Sequence, residues 1–196
     1  MVTAVQGEGL FVPSLEELVL DKNSNYSTYV ASFTERQVMP QLNKQTVKHG
    51  TMYFSKPDAL LMDYSEPAGD YSLIFNGRFT AKRKGKVNRF EMDAAKKTTM
   101  YALRETLLGS LNGDLMRVAR ENETNLECQE RDSRIYCTLV RKQTPQRGVC
   151  RLELEYDSTT GLLLVLRLTE VNGNYTEYVT HDGQTDIPIE PSVWER

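Results

Sequence analysis

Long apolar runs are missing from this sequence. The longest, Leu162 to Leu166, is far shorter than the ~20 residues that a membrane-spanning helix needs. The first nine residues contain neither a basic segment nor an apolar core, so no signal peptide is recognised there. Two alternatives remain open: a cytosolic protein, or a mature chain from which a leader has been removed.

Reactive side chains are also scarce. His49 and His181 are isolated, and neither stands at metal-ligand or catalytic-triad spacing from another candidate. We therefore expect no catalytic residue, no metal and no cofactor, which disfavours an enzyme. A net charge of −3 gives no electrostatic reason to expect nucleic acid as a partner. The length of 196 residues fits a single domain spanning residues 1–196.

Three cysteines are too few and too irregular for a disulfide framework or a zinc site. Cys128 and Cys137 are placed symmetrically about Asp132-Ser133, so a hairpin with a two-residue turn could join them in a disulfide. Alternatively, these two and Cys150 are buried free thiols on one apolar face. The odd count leaves at least one thiol unpaired.

What the sequence does contain is alternation of apolar and polar residues in runs closed by proline or glycine. This pattern is typical of antiparallel strands with one wet face. Shared faces are predicted for Tyr29, Ala31 and Phe33; for Gly50, Met52, Phe54 and Lys56; for Leu60, Met62 and Tyr64; and for Tyr71, Leu73 and Phe75. A basic hairpin is predicted over 78–90, and further strands over 126–180, with Asn172-Gly173 as a hairpin turn.

Two stretches have helical periodicity. Ser14 can cap a short helix that fades at 21–25, with Glu17 completing a capping box. Met100, Leu103, Leu107 and Leu111 form one stripe of a longer helix over 94–111. Asp114 can cap a second, short turn. Strands outnumber helices, so we predict a mainly β (α+β) fold, a curved antiparallel sheet with the long helix on its concave side.

The order and letters of three segments resemble the periplasmic lipoprotein carriers of the LolA type. These segments are Ala31-Ser32-Phe33-Thr34, Gly50 to Pro57, and Tyr64-Ser65-Glu66-Pro67. The resemblance implies a half-open antiparallel β-barrel covered by helices, whose apolar interior holds the acyl chains of lipoproteins during transit through the periplasm. It also implies a non-enzymatic, monomeric chaperone for protein transport and outer-membrane biogenesis, with an inner-membrane donor and an outer-membrane acceptor protein as partners.

The resemblance places ligand binding on inward apolar side chains. The predicted lipid-binding residues are Leu18, Phe33, Met52, Phe54, Leu60, Met62, Tyr64, Leu73, Phe75, Met100, Leu103 and Leu107. Lys56 stands where the family often has an arginine that holds the helical lid through hydrogen bonds to backbone. Because an ammonium lacks the planar fork of a guanidinium, Lys56 is expected to be a weaker latch.

Each of these features has a simpler alternative. The apolar stripes could be an ordinary packed core, and the long helix could be packed permanently on the sheet. The basic hairpin could meet anionic lipid or an acidic partner, or it could simply protect a sheet edge from pairing. A lipid- or partner-sensing interaction module of the same fold in the cell envelope is the alternative function.

Overall fold

The structure is a computed structural model that describes residues 12–92 and 98–196. The first residues of the predicted 94–111 helix therefore lie outside the described residues. The helices are α1 Leu15–Asn23, α2 Thr99–Asn112 and α3 Leu115–Glu121. The strands are β1 Thr28–Met39, β2 Lys44–Ser55, β3 Ala59–Glu66, β4 Ala68–Phe75, β5 Arg78–Arg83, β6 Lys86–Glu91, β7 Thr124–Arg131, β8 Arg134–Arg141, β9 Val149–Asp157, β10 Leu163–Glu170 and β11 Tyr175–Thr185.

The strands form one open antiparallel sheet of eleven strands. Its order is β6-β5-β4-β3-β2-β1-β11-β10-β9-β8-β7. Two meanders, β1 to β6 and β7 to β11, are thus joined where β1 pairs with β11, and Phe33 lies opposite Thr180 at that junction. The hairpins predicted over 78–90, around Asp132-Ser133 and at Asn172-Gly173 are present as β5–β6, β7–β8 and β10–β11.

Local capping fixes the helix ends as the sequence predicts. The Ser14 side chain accepts a hydrogen bond from the amide of Glu17, and the Glu17 carboxylate accepts one from the amide of Ser14. Gly113 ends α2 with a φ of 72°, a left-handed conformation that glycine adopts without strain. Asp114 then caps α3 by accepting from the amide of Arg117.

The core lies between the concave face of the curved sheet and the three helices. Val19, Leu108, Leu115 and Val118 from the helices pack with buried side chains of both meanders in a single cluster. The predicted fold, mainly β with helices over the concave face, is confirmed. Within the described part of the chain, no helix combines the length and apolarity that crossing a membrane requires.

Leu73 and Phe75 lie on the face of β4 opposite to the one predicted. They pack with Leu61, Tyr71 and Tyr53 on the convex side of the sheet, under a short 3₁₀ turn, Pro191–Trp194. The ring centres of Phe75 and Trp194 are 5.7 Å apart with nearly parallel planes. The prediction that Leu73 and Phe75 face the interior is therefore wrong, because this turn gives the convex face an apolar cover of its own.

Cys128 and Cys137 face each other across the β7–β8 hairpin and are joined in a disulfide. Cys150 is a free, half-buried thiol. The structure therefore shows the cross-strand disulfide and not the alternative of three free thiols. The positive φ angles of Asp132 and Ser133, 51° and 59°, make the two-residue turn that sets this register.

Candidate functional site

The candidate site is the apolar interior between the sheet and α2. Its floor comes from β1 to β3 and from β10 and β11, and its roof from the buried half of α2. The residues that line it are Phe33, Met52, Leu60, Met62, Leu107, Leu111, Leu163, Leu166, Tyr178 and Thr180. They leave a space of only about 20 Å³, room for about one water molecule, so the interior is filled by its own side chains.

Five of the predicted lipid-binding residues line this space directly: Phe33, Met52, Leu60, Met62 and Leu107. Phe54 and Tyr64 are buried in the same apolar cluster but do not line it. Leu18, Met100 and Leu103 are half-buried and pack against the cluster from the helices. Leu73 and Phe75 lie on the other face of the sheet. Ten of the twelve predicted residues thus belong to one concave cluster.

Half of the lining was missed by sequence reasoning. Leu111, Leu163, Leu166, Tyr178 and Thr180 complete the site from α2, β10 and β11. A signal was present for Leu111, in the helical stripe, and for Leu163 and Leu166, in the longest apolar run. Tyr178 and Thr180 alternate in β11, but only the pairing of β11 with β1 brings them beside Phe33.

Hydrogen bonds to backbone oxygens hold the C-terminal end of α2. The buried Tyr156 hydroxyl donates to the carbonyl of Ser110 at 2.9 Å, and the Tyr26 hydroxyl, which donates to Oδ1 of Asn23, lies 3.2 Å from the carbonyl oxygen of Leu111. Asn112 donates from Nδ2 to the carbonyl of Pro57 at 2.8 Å. The side chains of 105–111 are buried, whereas those of 100–104 are only half-buried. The roof is therefore fastened at one end and more exposed at the other.

Lys56 fastens α1 at the same corner. Its Nζ donates a hydrogen bond to the carbonyl oxygen of Asn23, the last residue of α1. The ammonium also lies 3.7 Å from the centre of the Tyr26 ring, within cation–π range. Burial lowers the pKa of Lys56 to about 8, and the nearby Asp186 carboxylate opposes this shift. Residues 56 and 57 thus bind the C-terminal ends of two helices.

A buried polar cluster lies beyond one end of the apolar space. Glu35 is only 2% exposed and accepts hydrogen bonds from the Tyr64 hydroxyl, from Gln37 at 2.8 Å and from Lys48 at 3.2 Å. The Arg83 guanidinium lies 4.7 Å from the Tyr64 ring centre. Burial, followed by the charge of Glu35, raises the pKa of Tyr178. Desolvation raises the pKa of Tyr64, so both phenols stay neutral near pH 7.

The site has no arrangement suited to metal binding. Within residues 12–92 and 98–196, no group of three or more His, Cys, Asp or Glu side chains could hold a metal ion. His49 and His181 are exposed, and Thr34 lies between them, its Oγ1 at 3.2 Å from Nδ1 of His49 and 3.3 Å from Nε2 of His181. The chemistry that the interior offers is therefore that of an apolar enclosure with a few buried polar groups.

Comparison with known proteins points to one family. The family model described as outer membrane lipoprotein carrier protein LolA matches residues 24–195. No curated protein sequence is detectably similar to the chain.

Several solved structures resemble the fold at low sequence identity. An uncharacterized conserved protein from Thermus thermophilus has a TM-score of 0.53 at 9% identity, covering 93% of this chain and 94% of its own. A LolA superfamily protein from Nitrosomonas europaea has a TM-score of 0.45 at 9% identity, covering 93% and 98%. The complex of MucA and MucB from Pseudomonas aeruginosa has a TM-score of 0.47 at 10% identity, covering 91% and 59%.

Proposed function

The chain belongs to the LolA family of outer membrane lipoprotein carriers, and we propose that it is a periplasmic carrier that shields the acyl chains of a lipoprotein in its interior. Cargo passes from a donor protein at the inner membrane to an acceptor at the outer membrane. The observation that carries this proposal is the lining of the interior, in which eight of ten side chains are apolar and two, Tyr178 and Thr180, are polar.

Apolar burial alone supplies affinity in such a site. Each buried methylene contributes about 0.8 kcal/mol, so a long acyl chain needs no specific polar contact to bind. The lining includes Met52 and Met62, whose flexible side chains can repack around ligands of varied shape. Release then requires only a partner or a membrane that offers a better apolar environment.

The filled interior means that the roof must move when cargo binds. A pocket for a lipid-sized ligand typically measures roughly 300–1,000 Å³, far more than the space of about 20 Å³ seen here. Because the C-terminal end of α2 is fastened at Ser110, Leu111 and Asn112, we expect its half-buried N-terminal part to swing outward. Leu103 and Leu107 would then leave the sheet and expose Leu60 and Met62 to the acyl chain.

Native mass spectrometry of the protein isolated from cells tests this proposal. We expect a fraction of the molecules to carry the added mass of a lipid or of an acylated peptide. A preparation without any such adduct, from cells that make acylated lipoproteins, would contradict the proposal. A stoichiometric protein partner without lipid would instead favour a sensing module of the same fold.

A further inference from the structure

Two adjoining pockets lie where α2 and α3 meet the ends of β7 to β10. The inner pocket, about 330 Å³, has apolar walls from Ala102, Leu103, Val149, Leu152 and Leu168. Leu152 and Leu168 also belong to the interior cluster, so this pocket leads towards the apolar interior. Its volume falls within the range of roughly 300–1,000 Å³ that is typical of small-molecule sites.

The outer pocket, about 570 Å³, has a mixed lining, with Met116 and Ala119 among its apolar residues. Arg120, Glu123, Arg141, Lys142 and Gln143 contribute to its lining. Arg141 lines both pockets, so the two are neighbours. The two pockets are together called the mouth groove, which has apolar walls in the inner pocket and the cations Arg120, Arg141 and Lys142 in the outer one.

Two cations of the mouth groove, Arg141 and Arg147, have no acidic partner among the described residues. Arg141, which is half-buried, and Arg147, which is exposed, make no side-chain hydrogen bond or ion pair with any described residue. Arg120 lies 3.4 Å from Glu121, and Glu123 is the one acid in the outer lining as far as the structure describes it. None of the described residues that line the inner pocket is acidic. An unpaired guanidinium beside an apolar wall favours a ligand that brings its own anion.

We propose that the mouth groove recognises an anionic amphiphile, with a phosphate-type headgroup on Arg141 and Arg147 and an acyl chain directed along Leu103, Leu152 and Leu168 into the interior. This inference rests on the proposed acyl-binding interior and adds anionic lipids to the lipoprotein acyl chains as its ligands. A guanidinium binds a phosphate through two parallel hydrogen bonds, which gives direction as well as attraction. The groove thus selects among lipids by headgroup charge, which the apolar interior cannot do by itself.

The basic β5–β6 hairpin is a second cationic surface that can attract an anionic headgroup. Lys86 and Arg89 are exposed there, but they stand on the edge strand at the far end of the sheet from β7. They do not line the mouth groove. A change of both to glutamine removes the same charge as a change of Arg141 and Arg147, so it serves as a matched control.

The test uses the full chain and displacement of the neutral dye Nile red by two soluble lipids with identical chains. We expect the wild type to bind dioctanoyl phosphatidylglycerol at least about tenfold more tightly than dioctanoylglycerol. The double variant Arg141→Gln/Arg147→Gln should lose this preference, because its binding of the phosphatidylglycerol weakens. The double variant Lys86→Gln/Arg89→Gln should keep the preference. The single variant Arg147→Gln, in an exposed loop, should show a partial loss without any effect on folding.

The outcomes separate this inference from the carrier proposal. Equal binding of both lipids by the wild type overturns the inference and leaves the carrier proposal standing. Equal losses in the two double variants also overturn it, because the preference would then come from the overall charge. If neither lipid displaces the dye and the dye itself does not bind, the carrier proposal fails, and the inference fails with it.

Discussion

The ammonium of Lys56 lies over the ring of Tyr26, 3.7 Å from its centre, and donates a hydrogen bond to the end of α1. The Tyr26 hydroxyl donates to Oδ1 of Asn23 and lies 3.2 Å from the carbonyl oxygen of Leu111, near the end of α2. One lysine and one tyrosine therefore connect the sheet to both covering helices. This is the position at which a change in a single side chain should alter how readily the cover opens.

Replacing Lys56 by methionine should accelerate cargo release. The change keeps the apolar stem but removes the donor to Asn23, a contact worth about 1 kcal/mol, so release of a fluorescent acyl probe to acceptor vesicles should quicken roughly fivefold. Lys56→Arg should slow release, because a guanidinium offers more fixed donors. Lys84→Met, an exposed lysine in the β5–β6 turn, is the control. Unchanged release in both Lys56 variants would show that this corner is not a latch.

The lowered pKa of Lys56 predicts a pH dependence of stability. Its pKa is about 8 in the folded protein, against an ordinary value of 10.5, because burial disfavours the charged form. Between these pH values the unfolded chain binds a proton that the folded chain lacks, so this group favours folding increasingly as the pH rises from 8 to 10.5. The unfolding free energy of the wild type should therefore rise relative to that of Lys56→Met between pH 8 and 10.5. Urea titrations at pH 7.5 and 10 measure it, and a constant difference would refute the assignment.

The disulfide gives a simple count of thiols. Because Cys128 and Cys137 are paired, the denatured protein without reductant should show one titratable thiol per chain, and three after reduction. Cys150→Ser should bring the first number to zero. Three thiols in the unreduced wild type would contradict the pairing.

Tyr64 should matter for stability through its hydroxyl. Removal of the hydroxyl in Tyr64→Phe leaves the buried Glu35 carboxylate with one fewer hydrogen-bond donor. This should lower the unfolding free energy by about 1–3 kcal/mol. Tyr53→Phe is a matched control, because the Tyr53 hydroxyl makes no hydrogen bond with the described residues and its ring packs on the convex face. Chemical denaturation of both variants measures the difference. Equal losses of unfolding free energy would show that the hydrogen bond from Tyr64 to Glu35 does not stabilise the fold.

Much of this architecture is predictable from local patterns. The Asp132-Ser133 turn places Cys128 opposite Cys137, and Ser14 and Asp114 begin helices where their capping residues require. Alternation shows which residues share a face of β4, but not which face points to the concave interior, since both faces are buried. That depends on Trp194, more than a hundred residues away in the chain, which covers Leu73 and Phe75.

The site itself is predictable only in part. Its floor on β1 to β3 follows from alternation around Phe33, Met52 and Leu60. The contribution of Tyr178 follows only from the pairing of β11 with β1, which no local signal encodes. Glu35 shares the inward face of β1 with Phe33, two residues away. The sequence alone does not predict that this charged residue is buried, because its partners Tyr64 and Lys48 come from other strands.

Binding of an acylated peptide tests the central claim most directly. The comparison uses one peptide with and without its acyl chain, and two variants of equally buried leucines, Leu60→Glu in the concave interior and Leu73→Glu on the convex face. Leu60 is 2% exposed and Leu73 is 5% exposed, so both changes strain folding while only the first places a charge in the proposed site. We predict that the wild type binds the acylated peptide saturably and does not bind the peptide without its acyl chain. Leu60→Glu should lose this binding, and the folded fraction of Leu73→Glu should keep it. Equal binding of the peptide with and without its acyl chain, or binding of the acylated peptide by folded Leu60→Glu, would contradict the proposed carrier function.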